Sequence, residues 1–189
     1  MNISFVIQSI LLGVGLAMDA STVSMTNGLN EPQMKVKKVI LVAFMYAFFQ
    51  GLMPFIGYLC GSTFINIIAK YVPWIALILL GFIGGNMLID GIRNKEEEKE
   101  DKKLTFKTLL VQAIATSIDA LSVGLIMIGY SKIQLTTALL CVSITTFVLS
   151  FVSVYIGKKF GTLLENKAAI IGGIILIGIG IEIFVSSFF

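Results

Sequence analysis

Residues 18–25 read MDASTVSM, and one hundred residues further on, residues 118–125 read IDALSVGL. Each stretch lies inside a long apolar run, and each puts one carboxylate, Asp19 or Asp119, near the middle of that run. A hydrocarbon core about 30 Å thick is crossed by roughly 20 apolar residues in a helix. Six stretches qualify, at about 5–27, 39–61, 73–92, 107–129, 135–157 and 168–188. The likeness between the halves continues outward from the two acids. IGYLCG (56–61) aligns with IGKKFG (156–161) at the same spacing, and GFIGGNMLID (81–90) aligns with GIILIGIGIE (173–182) at a spacing of 92. Three spans per half is an odd number, so the second half must enter the bilayer upside down relative to the first. The expected fold is an all-α integral membrane protein of six transmembrane helices, built as two inverted three-helix repeats over residues 1–92 and 107–189. Such proteins carry their site near the midplane, where the repeats meet. RNKEEEKEDKKLTF (93–106) mixes both signs of charge and reads as a solvated linker between the halves.

Composition agrees with a lipid solvent. The 189 residues are 57% apolar and only 13% charged, with a mean hydropathy of +0.95, whereas soluble domains average about 25% charged residues. The start, MNISFVIQSI, has no positive n-region and runs on into Asp19, so it is expected to be the first span and not a cleavable signal. Cys60 and Cys141 lie in or at the end of apolar spans and read as packing thiols. Histidine is absent, which removes the commonest transition-metal ligand and the usual catalytic base. No basic patch extends beyond short loops, so no nucleic-acid partner is expected.

Twelve of the 14 Lys and Arg residues fall on one side of this topology. They are Lys35, Lys37 and Lys38 in the first loop, Arg93, Lys95, Lys99, Lys102, Lys103 and Lys107 around the linker, and Lys158, Lys159 and Lys167 in the fifth loop. Lys70 and Lys132 alone fall on the other. The positive-inside rule then places the odd loops in the cytoplasm and both termini outside.

Every basic residue therefore sits in a loop or at a helix end, but four carboxylates do not. Asp19 and Asp119 are mid-span, Asp90 lies toward the cytoplasmic end of the third span, and Glu182 lies in the outer half of the sixth. An ionised side chain at the bilayer centre costs roughly 2.5–3.5 kcal/mol on insertion scales. With no fixed cation in the spans, the countercharge must arrive as a proton or a metal ion. Neutral oxygen donors accompany the acids: Thr22, Ser24 and Asn27 on the first span, Gln50 on the second and Asn86 on the third. Thr116 and Ser122 sit three residues either side of Asp119, and Ser143, Thr146, Ser150 and Ser153 stripe the fifth. Such donors suit Mg, Ca or Mn, whereas Zn, Cu and Ni favour imidazole or thiolate. Gly81, Gly84 and Gly85, with Gly172, Gly173, Gly178 and Gly180, are expected to let the third and sixth helices approach closely.

At MDASTVSMTNG (18–28) and ATSIDALSVG (115–124) the sequence resembles the MntP-type manganese efflux pumps, and the likeness extends through QGLMPFIG (50–57), GGNMLIDG (84–91) and IGGIILIGIGIEI (171–183). The resemblance implies a six-helix inner-membrane exporter of Mn²⁺, with the family's acidic pattern falling on Asp19, Asp90 and Asp119. Some members carry Glu where this chain has Gln50. The expected metal ligands are thus Asp19 and Asp119, assisted by Thr116, Ser122, Asn86 and Gln50. Asp90 is expected to gather cations from the cytoplasm and Glu182 to help release them outside. Mn²⁺ is expected as transported substrate and no cofactor as a permanent resident. The chain has no G-x-x-x-x-G-K-[ST] loop for ATP, so exchange for protons across the lipid bilayer is the expected drive. Export of another divalent cation or small solute is the alternative. An intramembrane aspartyl protease would also use two membrane aspartates, but its G-x-G-D setting is missing around Asp19 and Asp119.

Overall fold

The structure is a computed structural model that describes residues 3–93, 104–164 and 168–186. Side chains within them are described apart from 61–73, 161–164 and single positions, among them Asn86, Asp90 and Glu182. Helix α1 spans Ile3–Asn30, α2 Val36–Arg93, α3 Phe106–Thr116, α4 Ile118–Ile126, α5 Lys132–Leu164 and α6 Ala168–Ser186, with a 3₁₀ turn at Met127–Gly129. None of the described residues is in a strand. Among the described residues, four stretches are long and apolar enough to cross a membrane: Ile3–Asn30, Val36–Cys60, Phe106–Gly124 and Lys132–Phe160. Large apolar side chains cover the outside, including Phe44, Phe48, Phe55, Ile144, Val148 and Val152. That surface is suited to lipid and not to water. The chain is an all-helical multi-pass membrane protein.

The element boundaries differ from the sequence expectation in two places. The second and third spans are not separated by a loop around Lys70, because helix α2 runs unbroken for 58 residues. Between Gly61 and Pro73 the sequence STFINIIAKYV holds no breaker, so helical hydrogen bonding carries across it. At 1.5 Å per residue this helix would measure about 87 Å if straight, nearly three hydrocarbon cores of about 30 Å.

The fourth span, by contrast, is broken. Ser117 ends α3 with φ −108° and ψ 5°, and its N–H bonds to the Ile114 carbonyl instead of continuing the α-helical pattern. Its hydroxyl donates to the Ala113 carbonyl at 2.7 Å, and the neighbouring Thr116 hydroxyl donates to Gln112 at 3.0 Å. Two consecutive hydroxyls thus occupy carbonyls of the last turn, a local competition that bends or ends helices. A new helix starts at Ile118 and carries Asp119 in its first turn.

Packing crosses between the halves. Helix α1 lies along α5 in the same direction: Gly13 meets Val142 and Thr145, and Gly28 meets the backbone of Val154 and Lys158. Helix α2 meets α4 where Gly57 faces Leu121 and Gly124 faces Pro54; a Cβ on either glycine would lie 2.1–2.2 Å from a carbonyl oxygen. Farther along, α2 meets α6 at Gly84 and Gly173, where the corresponding approaches are 2.7 and 2.6 Å. Of the other glycines expected at this contact, Gly81, Gly85 and Gly178 have no neighbour within 4 Å. The pairs Gly28–Gly157 and Gly57–Gly124 take the close-packing role instead.

The two ends of the bundle are distinct. At one end Glu31 pairs with Lys38 and accepts the Leu104 N–H at 2.9 Å, while Lys158 donates to the Met34 carbonyl at 2.7 Å. The first loop, the end of the linker and the C-terminal part of α5 therefore meet there. At the opposite end Phe5 stacks edge-on against Tyr130, in a cluster with Tyr58, Met127 and Leu135. The cysteines Cys60 and Cys141 are free thiols, as packing residues should be.

Candidate cation site

Asp19 and Asp119 stand near mid-length of the first and fourth spans, one on each half of the chain. Asp19 is half-buried and Asp119 is exposed. The two carboxylates are near enough for their charges to repel, although α1 packs chiefly on α5 and α4 chiefly on α2. Like charges brought into proximity favour neutralisation by a proton or a cation. Among the described residues no group of three or more His, Cys, Asp or Glu is gathered. An ion at this pair would find, among the described residues, neutral oxygens to complete its shell.

The neutral donors expected from the sequence separate into distinct groups. Gln50 is fully buried; its Nε2 donates to the Leu16 carbonyl at 3.0 Å, three residues before Asp19 on the same helix. That bond fixes the amide plane and leaves Oε1 as an acceptor with no partner among the described residues. Thr116 is buried, but its hydroxyl is turned back onto the carbonyls of its own helix. Ser122, one turn beyond Asp119, is exposed. Asn86, Asp90 and Glu182 lie on helical backbone, and their side chains are outside the described residues.

A second polar feature was not anticipated as a unit. Asn27, Tyr46 and Gln112, from α1, α2 and α3, are all buried and joined to one another. Asn27 Nδ2 donates to Gln112 Oε1 at 2.9 Å and to the Tyr46 hydroxyl at 3.1 Å, and that hydroxyl donates to Gln112 Oε1 at 3.1 Å. Asn27 was visible in the sequence as one donor among several. Tyr46 and Gln112 are single polar residues in apolar spans, and only the folded chain brings them together. The triad lies toward the basic end, about 12 Å along the axis from Asp19 at 1.5 Å per residue.

Comparison with known proteins adds an independent finding. A family model described as "Putative manganese efflux pump" matches residues 33–184. A Ruminiclostridium cellulolyticum protein of the same description, MntP, is 44% identical over 183 residues, covering 96% of each chain. A Rippkaea orientalis protein so described is also 44% identical, over 95% of each chain. A Clostridium botulinum relative is 41% identical over 95% of this chain and 94% of its own. No solved structure matches.

Proposed function

The chain belongs to the MntP-type manganese efflux pump family, and from that membership we propose that it exports Mn²⁺ across the cell membrane in exchange for protons. It is a transporter and not an enzyme. The observation that carries this reading is the Asp19–Asp119 pair, two mid-span carboxylates close enough to repel. A divalent cation neutralises both at once, which no monovalent ion does. Oxygen donors without imidazole favour a hard ion of the Mg, Ca and Mn group over Zn or Cu.

The six spans read from the sequence, of which α2 covers two and α3 with α4 makes up one, act as two inverted repeats, and the ion binds where they meet. The crossed packing supports this arrangement, since α1 of the first half lies on α5 of the second, and α4 of the second lies on α2 of the first. Asp90 gathers ions from the cytoplasm, Asn86 and Ser122 assist the ion at Asp19 and Asp119, and Glu182 helps release. Convergence of Lys38, Glu31, Leu104 and Lys158 at one end supports placing the odd loops together on the cytoplasmic side, with both termini outside.

Moving one charge against 100 mV costs about 2.3 kcal/mol, so expelling a divalent ion from an inside-negative cell costs about 4.6 kcal/mol per 100 mV. Returning one proton to each aspartate cancels that electrical cost. In proteoliposomes, Mn²⁺ flux should rise when an opposing proton gradient is imposed. A flux indifferent to the gradient refutes the coupling.

A further inference from the structure

Buried hydroxyls in membrane helices commonly satisfy themselves by donating to the carbonyl one turn back. Ser9, Thr26, Thr116 and Ser117 all do so, to Phe5, Thr22, Gln112 and Ala113. Ser21, Ser24, Thr146 and Ser150 do not. With Gln50 Oε1, these hydroxyls are the buried side-chain oxygens that lack a partner among the described residues. Ser24, Gln50, Thr146 and Ser150 each expose none of their surface. All five oxygens belong to α1, α2 and α5, and none to α3, α4 or α6.

Helix register sets them within about 12 Å of one another along the bundle axis. Helices α1 and α5 run parallel, with Gly13 beside Thr145 and Gly28 beside Val154, so Ser21 falls level with Ser150. Helix α2 joins them there: Gly51 meets Ser143, and Gln50 is tied to Leu16. The Gln50 bond to Leu16 brings the seam to within one turn of Asp19 on α1, although Ser21 and Ser24 leave that helix on a face other than that of Asp19. Burying this many unpartnered oxygens is unfavourable unless something polar sits among them. The Gln50 amide is informative, because its N–H end is held by a backbone carbonyl and only its acceptor end is offered. Buried acceptors gathered one turn from a carboxylate fit a cation on its way to it.

We propose that Gln50, Thr146 and Ser150, with Ser21 and Ser24, supply uncharged ligands to the transported divalent cation, so that the ion passes through the α1–α2–α5 seam on its way to or from Asp19. This rests on the exporter reading and adds to it which helices strip the ion of its water. Helix α5 thereby becomes part of the site and not only a packing surface for α1.

The test is thermal unfolding of the purified full chain in detergent, with and without MnCl₂, alongside transport in proteoliposomes. The variants are Thr146→Val with Ser150→Ala, and Ser150→Ala alone should the pair fail to fold. Without metal, the variant should unfold at the wild-type temperature or above it, because unpartnered buried oxygens have been removed. Its Mn²⁺-induced shift should fall by more than half and its transport KM should rise about tenfold. A variant that unfolds earlier without metal assigns the hydroxyls to structure and overturns the proposal. So does a wild-type-sized Mn²⁺ shift in the variant while the wild type shifts and exports. A wild type that neither shifts nor exports removes the exporter reading, and this proposal with it.

Discussion

Gln50 shows how much one side chain contributes here. Its amide nitrogen is anchored on Leu16, three residues before Asp19, and its oxygen has no partner among the described residues. Gln50→Leu should raise the KM for Mn²⁺ about tenfold, the scale of one lost polar ligand. Gln50→Glu, the residue that some members of the family carry, should restore binding, and a concentration series of Mn²⁺ uptake into inverted vesicles would show both. Tyr46→Phe addresses the other polar cluster. It keeps the ring but removes the hydroxyl that Asn27 and Gln112 share, and should destabilise the fold by about 1–3 kcal/mol, read from denaturant unfolding. Asp19 and Asp119 were legible in the sequence because a carboxylate in a span without a basic residue has few structural excuses. Ser21 was not singled out, and Ser24, Thr146 and Ser150 were visible only as donors among several, without the lack of a hydrogen-bond partner that sets them apart. A serine in a membrane helix looks the same in sequence whether it bonds to its own backbone, as Ser9 does, or points into a seam.

Helices were legible as apolar runs, but their ends were not. The run around Asp119 gives no proline or glycine signal at Ser117, and the break comes from two adjacent hydroxyls taking up carbonyls of the final turn. The opposite error arises around Lys70, where a single charge suggested a loop and α2 continues through it. Glycine contacts were partly legible. Gly84 and Gly173 serve the expected approach of α2 and α6, while the tighter approaches at Gly57, Gly124 and Gly157 had carried no expectation. Gly57→Ala should destabilise by at least about 1–3 kcal/mol, because its methyl must displace the backbone of α4. Gly81→Ala, with open space around it, should stay within about 0.5 kcal/mol of wild type. Unfolding of the two variants side by side checks the α2–α4 contact directly.

The whole molecule is organised by charge at its ends and by two acids at its middle. Counting Lys and Arg by loop grouped the first, third and fifth loops, and the contacts of Glu31 with Leu104 and of Lys158 with Met34 bring parts of those segments together. Orientation can be read by labelling cysteines in a variant whose own two thiols are replaced. A membrane-impermeant maleimide should reach Ser131→Cys in intact cells and Lys37→Cys only after permeabilisation. The reverse pattern would invert the topology and with it the direction of export. Crossed packing of the halves could not be read from span order alone, since it depends on which glycines meet which backbones. The central claim is that Asp19 and Asp119 jointly carry a divalent cation out of the cell. Cellular manganese in a strain lacking its own exporter, challenged with MnCl₂, tests it most directly. Wild-type protein should lower the manganese content, whereas Asp19→Asn and Asp119→Asn, each expressed at the wild-type level, should leave it as high as in cells without the protein. Manganese lowered equally by wild type and by either amide variant would contradict the account.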